Sequence, residues 1–321
     1  MLYLGKENIQ QAVSLKDLLD EVENILSLQE IGTFSMPPRM HFDNGENTLL
    51  LMPCMTERFF GTKLVTVFPD NPKQNIPSVN AVMVLSSAIT GETLAILDGQ
   101  ALTALRTGAV GGVGIRHLCP PDTERLGIVG TGVQGFYQAI FAATARPIKE
   151  ISIFGRSPKN VKALGEKLKE ALPGTRIQVA ATIESLLEFS QAVITATSSS
   201  EPVLPDNELL LKGKVFVGIG SYKKSMREFP ESLFRLARRI FVDTLHATEE
   251  SGDLTEPLSK GWISRDQVTP LGRLLTGKSS DVGNPGETYI FKSVGMALFD
   301  VGIAGLIYDK ALAFGLGQKM S

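Results

Sequence analysis

The residues best suited to chemistry are Gly130-Thr131-Gly132-Val133-Gln134-Gly135, spaced Gly-x-Gly-x-x-Gly. The apolar run Leu126-Gly127-Ile128-Val129 enters this turn, and Phe136-Tyr137-Gln138-Ala139-Ile140-Phe141-Ala142-Ala143 leaves it in a helical pattern. Strand, glycine turn and helix in that order predict a dinucleotide-binding turn. Gly130 permits the tight turn, Gly132 lets backbone approach a pyrophosphate, and Gly135 lets helix and strand pack closely. The phosphates would sit on free N–H groups at the helix N-terminus, where the dipole favours negative charge. Thr131, Val133 and Gln134 belong to the same expected contact surface.

The end of the next strand selects the cofactor. A carboxylate there accepts hydrogen bonds from the adenosine 2′-hydroxyl of NAD and would repel a 2′-phosphate. This chain has Ile153-Phe154-Gly155-Arg156-Ser157-Pro158-Lys159, with no acid. Arg156 can meet a phosphate bidentately and Ser157 can donate a hydrogen bond, so NADP(H) is preferred, with NAD(H) as the other possibility.

These groups need elements to hold them. Apolar runs at 126–129, 150–154, 176–180, 192–195, 214–219 and 239–242 predict six strands separated by helical segments such as 158–171. That alternation implies an α/β fold, a Rossmann-type doubly wound parallel sheet. Thr195, Ala196 and Thr197 end the fourth strand, where the crevice of such a sheet lies. Upstream the pattern differs. A strand near 2–4 precedes a helix that follows Ser14, with Leu15, Leu18, Leu19, Val22, Ile25 and Leu26 on one face. Short runs at 48–52, 62–68, 80–87 and 93–97, separated by turn residues, then predict an antiparallel meander. Residues 103–118 read as a small-residue helix broken by Cys119-Pro120-Pro121-Asp122. The expected domains are therefore 1–118, an α+β domain, and 119–295, the dinucleotide domain. A final helical region, expected to begin within 286–295, would return to the first domain with 296–321.

Composition narrows the partners. The 321 residues carry 32 Lys+Arg against 34 Asp+Glu, a formal charge of −2, which gives no polyanion-binding surface and argues against nucleic acid. Cys54 and Cys119 have neither metal-ligand nor disulfide spacing; no metal is expected, and both read as reduced thiols of a cytoplasmic protein. The N-terminus lacks the pattern of a signal peptide. The most apolar stretch, 294–317, contains Asp300, Asp309 and Lys310, so it reads as a buried or interface helix rather than a membrane span.

Together the motifs resemble the ornithine cyclodeaminase/mu-crystallin family. The resemblance rests on Pro37-Pro38-Arg39, Gly61-Thr62-Lys63, Leu102-Thr103-Ala104-Leu105-Arg106-Thr107-Gly108-Ala109, the glycine turn, Ala196-Thr197-Ser198, Gly218-Ile219-Gly220-Ser221, Glu250-Ser251-Gly252-Asp253 and Phe291-Lys292-Ser293-Val294-Gly295, in this order. It implies a homodimer with an N-terminal substrate and dimerisation domain. It also implies hydride exchange between nicotinamide and the α-carbon of an amino or imino acid. Such substrates carry a carboxylate, and the residues matching the family's cations are Arg39, Lys63 and Arg106. Lys63, beside two arginines, is expected to have a lowered pKa and to be the proton donor to the imine. Thr107, Ile219, Ser221 and Ser293 match cofactor contacts, and Ser221 also lies on the substrate side.

Departures choose within the family. The resemblance implies that ornithine cyclodeaminases carry an acid just before Met-Pro and an Asp after the fifth strand. Here Leu50 and Gly220-Ser221 occupy those places. Leu50 offers a diamine's distal ammonium no partner. The expected activity is NAD(P)H-dependent reduction of a small cyclic imino acid, 1-pyrroline-2-carboxylate or 1-piperideine-2-carboxylate. Ornithine cyclodeamination, alanine-type dehydrogenation and a non-catalytic NADPH-binding crystallin-like role are the alternatives.

Overall fold

The structure, a computed structural model, describes residues 1–279, 282 and 286–320. It divides into two compact units. One comprises 1–106 with the terminal segment from Met296, and the other Thr107–Gly295.

The first unit is a mixed sheet. Asn47–Thr56, Phe59–Val67, Val79–Ser87 and Thr93–Asp98 pair antiparallel in sequence order, Leu2–Leu4 adds in parallel beyond Thr93–Asp98, and Met40–Asn44 pairs with Asn47–Thr56. The helix Leu15–Ile31 starts at Ser14, whose Oγ accepts from the Asp17 N–H at 3.1 Å, and stops at Gly32 with φ +86°. Its buried face is Leu18, Leu19, Val22, Ile25 and Leu26. The terminal helix Ala297–Phe314 packs against three sheet strands on one side and against Lys6–Ala12 and Leu15–Ile31 on the other. That double burial explains why it is apolar nearly all round. Among the described residues, no helix is long and apolar enough to cross a membrane.

Among the described residues, the second unit holds eight parallel strands in the order Arg176–Val179, Glu150–Phe154, Arg125–Val129, Ala192–Thr195, Val215–Gly218, Thr288–Lys292, Ala237–Val242 and Val268–Pro270. Strand order runs outward in one direction from Arg125–Val129 and then restarts on its other side. Crossovers running in opposite directions from that strand make the sheet doubly wound and leave a crevice at the switch point.

Two expectations need correction. Residues 286–295 do not open the final helix. Thr288–Lys292 is a buried strand inserted between Val215–Gly218 and Ala237–Val242, and the helix begins at Ala297. The segment is β-branched and aromatic, and its pairing partners lie far away in sequence. The unit boundary also falls earlier than Cys119, inside the helix Gly99–Leu118. A Cβ on Gly108 would come within 2.5 Å of Phe141, and one on Gly114 within 2.4 Å of Phe291. These glycines seat the second half of the helix on the dinucleotide unit, so the break in helix propensity is not the break in packing.

Candidate active site

In the second unit, Arg125–Val129 ends in Gly130 at φ +114°, a region L side chains rarely adopt. Its N–H donates to Phe154 O at 3.0 Å, and a Cβ there would lie 2.5 Å from Ala196 O. A Cβ on Gly135 would lie 2.2 Å from Gly130 O, so only glycine lets the helix Val133–Ala145 start this close to the turn. Gly132 differs. It is the N-cap, with no side-chain cap, ordinary φ of −80° and nothing within 4 Å of a Cβ. The first N–H groups of that helix have no intrahelical acceptor and open onto this space. Thr131 and Gln134 are half-buried beside it and Val133 is exposed. The cradle fits a pyrophosphate.

That geometry makes a clean prediction. Gly132→Ala is expected to leave the melting temperature unchanged and to weaken NAD(P)H binding about tenfold or more, because the methyl group fills phosphate space only. Fluorescence titration of the bound nicotinamide checks it, and unaltered affinity would remove the turn from the cofactor site.

Beyond Phe154, Arg156 is exposed. Ser157 Oγ caps the helix Pro158–Ala171 by accepting from the Asn160 N–H at 3.4 Å, which leaves its proton to donate elsewhere.

The carboxyl ends of the next strands are stitched edge to edge. Ala196 N–H donates to Val129 O at 2.8 Å, Ile219 N–H to Thr195 O at 2.9 Å, and Ser293 N–H to Gly218 O at 3.0 Å. Thr195, Ala196, Thr197, Ile219, Ser221 and Ser293 are thereby gathered along one sheet edge, the edge that continues Gly130. Several of their side chains are already engaged. Ser221 is fully buried, donates to Met226 O at 2.6 Å and shares a 2.7 Å hydrogen bond with Ser251 Oγ. Ser293 Oγ donates to Asp243 at 2.7 Å. These hydroxyls build the loops, and neither presents a free proton to a ligand. Thr107 is buried, its carbonyl accepting from Gln138 Nε2 at 2.8 Å.

Behind that edge lies a fully buried ionic cluster for which sequence reasoning assigned no role. Glu228 accepts from the N–H groups of Thr197 (2.7 Å), Gly220 (2.8 Å) and Ser221 (3.2 Å) and from Thr197 Oγ1 (2.8 Å). Asp253 accepts from the N–H groups of Glu228 and Phe229 and lies 3.2 Å from Lys292 Nζ. Glu250-Ser251-Gly252-Asp253 and the Lys292 motif therefore serve one purpose, fixing the loops that follow two neighbouring strands.

The first unit holds the cations. Lys63 and Met52 are cross-strand partners, and Lys63 Nζ lies 2.8 Å from both oxygens of Asp300 on the terminal helix. Arg106 Nε donates to Asp300 Oδ1 at 3.0 Å. Lys63 and Arg106 are buried and Asp300 is wholly inaccessible. Arg39, half-buried just before Met40–Asn44, is close enough to act on Lys63 electrostatically. The ammonium of Lys63 is pushed down to about 8. Burial is the first cause, ahead of repulsion from Arg106 and then Arg39, and attraction to Asp300 opposes them. Desolvation thus outranks the like-charge effect expected from sequence. Asp300 was legible only as a misplaced acid in an apolar helix. An acid in an apolar helix is itself a sign of a site, since a buried carboxylate needs a partner. Cys54 and Cys119 are free, buried thiols pushed up to about 12 by burial, and so inert as nucleophiles.

The parallel sheet carrying this glycine turn defines a dinucleotide-binding α/β protein, and the first unit, taken by itself, buries a cation cluster suited to a small anion. Comparison makes the class specific. The model of the ornithine cyclodeaminase/mu-crystallin family matches residues 2–314, and the chain belongs to that family. A Delta(1)-pyrroline-2-carboxylate reductase of Bacillus cereus is 33% identical, with 100% of this chain and 99% of that protein covered. An alanine dehydrogenase of Archaeoglobus fulgidus is 28% identical over 99% and 98%. The Delta(1)-pyrroline-2-carboxylate reductase of Thermococcus litoralis, solved with NADH and L-proline, superposes with a TM-score of 0.94 at 29% identity, each chain covered fully.

Proposed function

We propose that the protein is a nicotinamide-dependent reductase of small cyclic imino acids, converting 1-pyrroline-2-carboxylate to L-proline or its six-membered homologue to L-pipecolate. The observation that carries this reading is the Lys63–Asp300–Arg106 cluster: two buried cations share one carboxylate, and the remaining positive charge suits one more carboxylate. The reductases of Bacillus and Thermococcus support it.

The chemistry follows from the groups present. Arg106 and Lys63 bind the substrate carboxylate, which also fixes the adjoining imine carbon. The bound nicotinamide supplies the hydride. Lys63 supplies the proton to the imine nitrogen. At about 8 its ammonium is populated at neutral pH yet acidic enough to be given up, so kcat/KM should fall as pH rises through that value. Leu50 pairs with Val65 on the sheet face shared by Met52 and Lys63 and offers nothing to a second ammonium, which favours reduction over ornithine cyclodeamination.

NADPH is the preferred cofactor in this reading. An end of Glu150–Phe154 without a carboxylate and an exposed Arg156 support it, although the Thermococcus relative was solved with NADH. Arg156→Ala should raise KM for NADPH far more than KM for NADH, and equal effects would defeat the assignment. A cytoplasmic homodimer completes the proposal; a dimeric archaeal alanine dehydrogenase of the same fold, with a TM-score of 0.92, supports the dimer alone.

The deciding experiment follows nicotinamide absorbance with both cyclic imines and both cofactors. Oxidation is expected. Tight cofactor binding with no oxidation would favour a binding protein, and ornithine consumed without net cofactor change would favour a cyclodeaminase.

A further inference from the structure

Asp300 sits in a helix that gives no local reason for a charge. Phe299, Val301, Ile303 and Ala304 around it are fully buried. A carboxylate so placed is tolerated only with a counter-ion. It has two, Lys63 on a sheet strand and Arg106 on the helix Gly99–Leu118, at 2.8 and 3.0 Å. The charged groups that act on Lys63 are Asp300, Arg106 and Arg39, and the Cys54 thiol of the adjoining strand feels Asp300. Of these, Asp300 alone is negative, because Cys54 stays protonated.

We propose that Asp300 is a positioning residue. Its carboxylate sets Nζ of Lys63 and the guanidinium of Arg106 in the orientation that receives the substrate carboxylate, and it is the counter-charge that lets the lysine remain an ammonium among buried cations. The inference rests on the reductase reading for its kinetic consequence, but not for its electrostatic one. Burial, Arg106 and Arg39 all push the Lys63 ammonium down, and Asp300 opposes them. Asp300→Asn removes that opposition and keeps the shape, so Lys63 should turn neutral within the physiological range.

The test uses two readouts on the full-length protein. The first is an NMR titration of lysine labelled with carbon-13 at Cε, the Lys63 signal being identified by its loss in Lys63→Met. The second is the pH profile of kcat/KM for NAD(P)H-dependent 1-pyrroline-2-carboxylate reduction. In Asp300→Asn the Lys63 titration and the alkaline limb should both move down by about one pH unit or more. KM for the imine should rise about tenfold or more while cofactor affinity stays unchanged. Asp300→Glu should hold the alkaline limb within about half a unit, because the charge remains, and still raise KM, because it is displaced. A folded Asp300→Asn protein whose Lys63 titrates as in the wild type overturns the proposal. So does an Asp300→Glu enzyme with unaltered KM, which decides the matter if the asparagine variant does not fold. Absence of imine reduction in the wild type would defeat the reductase reading alone, and the NMR titration would still decide the role of Asp300.

Discussion

Lys63→Met is expected to lower kcat for imine reduction by about two to four orders of magnitude, the range of a positioned general acid. The substitution keeps the length and apolar stem of the side chain in a buried site, and it leaves Asp300 paired with Arg106 at 3.0 Å, so the fold should persist. Dinucleotide affinity should persist too, because the glycine turn and the strand ends belong to the other unit. The fall in kcat then reports the proton. In the unmodified enzyme the ammonium at about 8 also sets the alkaline limb of the pH profile, and in the variant that limb should vanish. Steady-state kinetics across pH check both points. An enzyme that keeps its turnover number and loses only affinity would leave Lys63 as a carboxylate ligand and nothing more.

Lys292→Met should be the most destabilising single change in the dinucleotide unit. Lys292 is fully buried on Thr288–Lys292, 3.2 Å from Asp253, and Glu228 is fully buried beside them. Removing the cation strands two carboxylates in a dry interior, which costs about 3–5 kcal/mol when one partner of a buried pair is lost. For a unit of this size that corresponds to a fall in melting temperature on the order of 10 °C. The sign of the pH dependence follows. Burial, the largest effect, and Asp253 push the Glu228 carboxyl up, and Lys292 pulls it back. Without Lys292 the folded state keeps the Glu228 proton to higher pH than the unfolded chain does. Stability therefore falls as pH rises from the ordinary carboxylate range to the raised value, and recovers on acidification. Calorimetry at pH 5 and pH 8 measures this. A small, pH-independent loss would mean that the cluster does not carry the loops. Because Glu228 holds the N–H groups of Thr197, Gly220 and Ser221, cofactor affinity should weaken along with stability.

The glycine turn was legible from sequence because its pattern of strand, glycines and helix is local. One strand, three glycines and one helix are contiguous, and the demand on Gly135 is met inside that stretch by Gly130 O, although Gly130 itself is also crowded by Ala196 from a distant strand end. The same holds for the Ser14 cap, the antiparallel meander and the missing acid after Phe154. Lys63 and Arg106 could be named from short motifs, but their environment could not. The residue that joins them lies 237 positions from Lys63, in a helix whose composition suggested only that it was buried. Thr288–Lys292 was misread for the same reason. A short apolar run carries no period long enough to separate strand from helix, and its partners come from the strands Val215–Gly218 and Ala237–Val242. Sequence alone therefore pointed to a glycine turn for a dinucleotide and to the cations proposed for a carboxylate. Tertiary structure decided which charges neutralise one another, because burial and distance set a buried charge's state, and both depend on residues brought together only by folding.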